Sequence, residues 1–188
     1  MEMKLPELQT EVKQEKVKEQ DDCILTVKKA ITSASESIIQ QGIKIEQDSA
    51  QIYEAMSAYL DSLGFTNTSK WFKIHAGEER NHSDWVIDFL KEKNILPILP
   101  GIDKPDMNWK SLKDVLKSAY EHEEKVTAFW NKAATECFKS GDHDSYQFCL
   151  YVLKEQREEL DLFSNLIDRF NLVNGGNLLT FDKNLTHP

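Results

Sequence analysis

The sequence predicts an all-α protein: a four-helix bundle with one long crossover and a short C-terminal fifth segment. Three observations lead there. Proline is absent from two long stretches, strand signals are missing, and four apolar stripes recur at helical spacing. The five prolines are Pro6, Pro97, Pro100, Pro105 and Pro188, so none interrupts residues 7–96 or 106–187. Proline breaks helix interiors, and both stretches are therefore free to be long helices. No alternating β-branched run and no Asn-Gly hairpin competes with that reading.

Glycine divides the stretches. Gly64 follows a helical run, and Asn67, Thr68 and Ser69 offer a cap for the next helix. Gly141, between Ser140 and Asp142, cuts the second stretch in the same way, and Gly175-Gly176 stops the last long helix. The predicted helices are α1 (36–62), α2 (68–93), α3 (110–139) and α4 (143–171), followed by a short tail. Each is roughly 40 Å long at about 1.5 Å per residue. Short α1–α2 and α3–α4 connections make antiparallel hairpins. Ile95–Lys110, with three prolines and Gly101, is long enough to carry the chain along the bundle between α2 and α3. Residues 1–34 read as a poorly structured or loosely helical arm, and residues 35–188 as the bundle domain. The arm holds six lysines and seven acids, which suits a solvated extension.

Composition narrows the partners. The 188 residues, 40% of them hydrophobic, suffice for one domain with a real core. Lys and Arg number 23 against 32 Asp and Glu, a net charge of −9 that counts against nucleic acid or an anionic membrane surface as partner. No apolar run is long enough to span a bilayer, and the first 22 residues lack the apolar core of a signal peptide. Cys23, Cys137 and Cys149, without CxxC spacing, fit free thiols in a reducing compartment, so the expected location is the cytoplasm.

Each stripe carries a polar interruption near its middle. On α1 it runs Ile39, Ile43, Glu46, Ala50, Tyr53, Leu60, and on α2 Phe72, His75, Glu79, His82, Val86, Phe89. On α3 it runs Leu112, Leu116, Ala119, Glu123, Val126, Trp130, and on α4 Cys149, Val152, Gln156, Glu159, Phe163, Leu166. Such stripes face the core, where a carboxylate is costly unless paired or bound to metal. An internal repeat strengthens the pattern. An offset of 77 residues takes Glu46 to Glu123, Glu79 to Gln156 and His82 to Glu159. It also takes Ile39 to Leu116, Val86 to Phe163, Phe89 to Leu166 and Glu78 to Glu155. Two similar hairpins packed about a pseudo-twofold would bring the core polar groups into one layer.

That layer holds four carboxylates, one imidazole and one amide. Without cations, clustered carboxylates repel and take up protons. Two divalent ions would balance the four charges. Oxygen ligands with one or two nitrogens suit Fe, Mn or Zn, and the lack of thiolate argues against a closed structural zinc site.

At these residues the sequence resembles the non-haem ferritins, and closely the bacterial type. The resemblance covers about residues 35–186, through IEQDSAQIYEAMSAYL on α1, HAGEERNHSDW on α2, YEHEEKV on α3 and LKEQREELDLF on α4. It implies that Glu46, Glu79 and His82 bind a first iron and that Glu79 bridges to a second, held by Glu123 and Glu159 with Gln156 close by. It places Tyr53 beside this di-iron centre, and implies a third iron site at Glu78, Glu155, Glu158 and Glu159. Gln156-x-x-Glu159 on α4 is similar to ferritin proper and unlike bacterioferritin or rubrerythrin, which keep a second Glu-x-x-His. Arg80 stands where bacterioferritins supply a haem-binding Met, so no haem is implied. Tyr146 and Cys149 stand where animal heavy chains carry acidic channel residues, and no path for incoming iron is assigned. The implied function is iron storage. Fe(II) is oxidised to Fe(III) by O2 or peroxide at the ferroxidase centre, and mineral accumulates inside a shell of 24 identical subunits.

Two rivals follow from the same class: a soluble rubrerythrin-type oxidase or peroxidase, and a DNA-protecting mini-ferritin. Neither has the features expected of it here, namely a second Glu-x-x-His or a basic arm. His75 reads as a hydrogen-bonded core histidine, with a spare ligand as the alternative. His122, His143 and His187 read as surface histidines, and Trp71, Trp85, Trp109 and Trp130 as core or subunit-contact residues. Removing the seven acids of the proposed iron sites leaves a net charge of −2, so most of the acidity belongs to a concentrated cation site.

Overall fold

The computed structural model describes residues 27–173 and 176–185, and the first 26 residues of the expected arm lie outside these. Four long helices, α1 Ser33–Ser62, α2 Thr66–Glu92, α3 Leu112–Lys139 and α4 His143–Leu172, are followed by the short α5 Leu178–Lys183. No strand occurs among the described residues. The hairpin turns centre on the two expected glycines. Gly64 and Gly141 adopt φ of +85° and +73°, the left-handed conformation that ends a helix without a Cβ clash.

Helix starts are secured by side chains. The Thr32 hydroxyl accepts from Ser35 N–H, Ser111 from Asp114 N–H, and Asp142 from Ser145 N–H. The start of α2 is different. The expected cap from Asn67, Thr68 and Ser69 is not how this end is satisfied: its N-cap is Phe65, which makes no side-chain bond. Asp182 on α5 instead accepts from Thr68 N–H and Thr68 Oγ1, both at 2.8 Å, and from Asn67 N–H at 3.3 Å. An acid from the end of the domain thus caps a helix 114 residues earlier.

The crossover runs along α1. Gln40 donates to Ile98 O, Lys44 donates to Gly101 O and pairs with Asp103, and Asp103 N–H reaches Asp48. Pinned this way, residues 93–111 traverse the bundle, so α3 starts beside the α1–α2 turn and runs antiparallel to α1. The other end closes where Thr32 N–H donates to Asp142 and Thr32 Oγ1 to Ser140.

Every stripe residue named above is buried. The apolar ones form two cores, one towards each end. The first gathers Ile39, Ile43, Val86, Trp130, Cys149 and Val152; the second gathers Leu60, Phe72, Leu112, Leu116, Phe163 and Leu166. Cys137 and Cys149 are free, buried thiols in the first core, with sulfurs 3.9 Å apart. No described helix is long and apolar enough to cross a membrane.

Candidate metal centre

Between the two cores lies the polar layer. Glu46, Glu79, Glu123, Gln156 and Glu159 are buried there, together with His75 and His82. Each occupies a mid-helix position of the core-facing stripe, so folding the amphipathic helices is enough to bring them inward. Ligand atoms of Glu46, Glu79 and His82 lie within 4.8 Å of one another, and so do those of His75, Glu79 and Glu123. Glu79 is common to both groups, so one carboxylate stands between the two sets of ligand atoms.

The bonds inside the layer are specific. Trp130 Nε1–H donates to Glu46 Oε1 at 2.6 Å, and Tyr53 Oη–H donates to Glu123 Oε1. His82 Nδ1 lies 3.3 Å from Glu79 Oε2, and Thr127 Oγ1–H donates to Gln156 Oε1. After these bonds, Glu46 Oε2 and Glu123 Oε2 remain buried with no hydrogen-bond partner. A buried carboxylate oxygen left in that state costs free energy that a bound cation would recover. The donor set fits hard divalent ions: four carboxylates, imidazole nitrogen and no thiolate.

Electrostatics agree. Burial, followed by the charge of Glu79, pushes the Glu46 carboxyl well above its ordinary range. Burial and then Glu123 and Glu159 do the same to Glu79. Burial lifts Glu123 to about 7; burial and then Glu123 lift Glu159 to about 9. Each shift favours the protonated carboxyl, so a cation binding here would compete with protons for these oxygens.

One histidine meets its expectation and one departs from it. His75 is a fully buried neighbour of the layer: Nε2 lies 3.4 Å from Glu79 and 3.3 Å from Glu159, and Nδ1 3.1 Å from Glu78. It is thus a paired core histidine that also stands at ligand distance. Its place one turn before Glu79 on the core stripe was the available signal. His122 is not a surface histidine. It is half-buried, its Nε2 is 2.7 Å from Ser49 Oγ, and burial followed by Lys125 lowers it to about 4. The residue beside Glu123 on α3 cannot escape the α1 interface, a consequence of close α1–α3 packing that no stripe pattern displays. His143 is exposed as expected, and His187 lies outside the described residues.

On the α2–α4 side, Glu78, Glu155, Glu158 and Glu159 line a cleft of about 330 Å³ with Asn81, His82 and Trp85. The four acids read as a third site therefore share one opening. Of these, Glu158 pairs with Lys154 at 2.9 Å and is solvated.

An antiparallel bundle with a lengthwise crossover and a carboxylate-rich layer at its middle is the architecture of the ferritin-like class. Residues 36–173 match the Ferritin-like domain family, and the chain belongs to that family, in its bacterial non-haem branch. It is 33% identical to a probable bacterial non-haem ferritin-like protein of Haemophilus influenzae over 150 residues, 79% of this chain and 91% of that one. Over the same length it is 27% identical to the bacterial non-haem ferritin of Escherichia coli O157:H7. Among solved structures it is similar to an open-pore ferritin of Archaeoglobus fulgidus, with a TM-score of 0.78 and 26% identity over 82% of this chain and 95% of that one. It is likewise similar to Chlorobium tepidum ferritin, with a TM-score of 0.75 and 28% identity over 81% and 95% of the two chains.

Proposed function

We propose that this protein stores iron, oxidising Fe(II) to Fe(III) at the central layer and depositing ferric mineral within a shell of its own copies, twenty-four in number. The supporting observation is the set of buried, unpartnered carboxylate oxygens gathered around the shared Glu79. Fe(II) is the substrate. Glu46, Glu79 and His82 receive one ion; Glu79, Glu123 and Glu159 receive the second, with Gln156 and His75 adjacent. Tyr53 orients Glu123 through its hydroxyl. Carboxylates shift between bridging and terminal modes as iron gains charge, and an oxygen-rich site favours the harder Fe(III). O2 or peroxide accepts the electrons. The cleft bearing Glu78, Glu155 and Glu158 serves as a third, transient iron position. The protein acts in the cytoplasm, uses no haem and needs neither nucleic acid nor membrane.

The test is Glu79→Ala combined with His82→Ala. The shell should assemble at normal size by size-exclusion chromatography, and rapid Fe(II) oxidation in stopped-flow absorbance should disappear. Oxidation at the unaltered rate would overturn the assignment.

A further inference from the structure

The 77-residue offset that relates Glu46 to Glu123 also relates Tyr53 to Trp130. Each aromatic lies seven residues, two helical turns, beyond the glutamate of its own helix. Each bonds to the glutamate of the opposite hairpin instead. Tyr53 on α1 donates to Glu123 on α3, and Trp130 on α3 donates to Glu46 on α1. All four residues are fully buried. The two bonds are what a twofold between antiparallel α1 and α3 would generate from one original interaction.

Space for the indole is made on α1. Gly42, one turn before Glu46, faces the Trp130 ring so closely that an added Cβ would come within 2.7 Å of Cη2 and 2.9 Å of Cζ2. A side chain at this position would push the ring away and carry Nε1 off Glu46. Indole N–H is a donor only, so unlike the Tyr53 hydroxyl it cannot accept or give up its role as the layer's charge changes. Its bond occupies Glu46 Oε1 and leaves Oε2 buried with no hydrogen-bond partner.

We propose that Trp130 is a positioning residue for the first cation site, holding Glu46 through its indole N–H so that Oε2 alone is presented to the ion, with Gly42 supplying the room. The inference rests on the metal-centre reading above. It assigns Trp130 a function beyond packing and explains why a glycine stands inside the long helix α1, where it lowers helix propensity. Outer partners of ligating carboxylates typically change metal affinity by about 10–100-fold.

The experiment is an anaerobic Co(II) titration of the assembled, metal-free protein, followed by calorimetry and visible absorption. Trp130 is replaced by Phe and, separately, by its sulfur isostere benzothienylalanine, which keeps the ring shape and removes only the N–H. The unsubstituted protein should bind two Co(II) per subunit. Both variants should keep the particle size, weaken one of the two ions about tenfold or more, and change the intensity of its visible band as Glu46 is released. In a Glu46→Ala background the same replacements should cause no further loss, which a general packing defect would still cause. Gly42→Ala should weaken the same ion while retaining the indole. Two ions bound with unaltered affinity and spectrum in the isostere variant would overturn the inference alone. No cobalt bound by the unsubstituted protein would overturn the metal-centre reading and this inference with it.

Discussion

The two hairpins, α1–α2 and α3–α4, are built to one plan and finished differently. Each brings a glutamate on its first helix and an i, i+3 polar pair on its second, in register at 77 residues. The first hairpin supplies imidazole through His75 and His82, and the second supplies Gln156 and Glu159 in the corresponding layer. Each ligand group around Glu79 thus has one imidazole, His82 beside Glu46 and His75 beside Glu123, while Gln156 and Glu159 have no imidazole counterpart of His82 on their own hairpin. Two ions held this way would have unequal surroundings, which suits a substrate that binds in sequence and leaves as product. Symmetry places the groups; departure from symmetry distinguishes the two positions.

The comparison breaks most sharply in the core. Val86 and Phe163 are related by the offset and both are buried, yet Phe163 packs against Tyr53, Trp71, Phe72 and His75. Phe163→Ala should destabilise by about 3–5 kcal/mol. Val86→Ala should cost roughly 2 kcal/mol, from about 0.8 kcal/mol per buried methyl group. Chemical denaturation measures both, and equal losses would contradict the denser aromatic packing around Phe163.

The acid–base behaviour of the layer gives a second handle. Glu123 and Glu159 rise from ordinary carboxylate values to about 7 and about 9 in the fold. The folded protein thus holds protons that the unfolded chain has released, so the unfolded state binds fewer and stability declines with rising pH. Their stabilising contribution is complete below about pH 4.5, the ordinary value for Glu. It is lost as pH climbs through 7 and 9. Melting of the metal-free protein should accordingly drop from pH 5 to pH 9, and saturating Co(II) should reverse the trend. A flat or rising metal-free curve would show that these carboxyls are not protonated in the fold.

The smallest effect lies at the helix starts. α4 is capped locally by Asp142, whereas α2 borrows Asp182 from α5. Asp182→Ala should cost about 1 kcal/mol, the usual worth of a cap. In a chain of this size that lowers the melting temperature by about 2–4 °C. The same variant should leave the proposed Fe(II) oxidation at its normal rate, since Asp182 bonds Asn67 and Thr68 at the start of α2, eleven residues before Glu79.

Most of the centre was legible because a helix repeats every 3.6 residues and a bundle has one inside. Any carboxylate that falls on the apolar stripe is committed to the core before its neighbours are known. Glu46, Glu79, Glu123 and Glu159 were readable for that reason, and the 77-residue register implied that they meet. The pairwise bonds were not readable. Trp130 looked like an ordinary stripe aromatic, Tyr53 was placed beside the centre by resemblance alone, and His122 looked solvated, because the pattern records which way a side chain faces and not what it touches.

The sequence by itself determined the helices, their turns at Gly64 and Gly141, the inward face of each and the chemistry of the layer. These are local consequences of proline, glycine and periodicity. Only the tertiary structure decided the rest: that Asp182 caps α2, that the crossover lies along α1, and that each hairpin's aromatic steadies the other hairpin's glutamate. Those outcomes depend on the rotation and axial shift of one helix against another. Side chains far apart in sequence set that fit together, so no single stretch of the chain carries it.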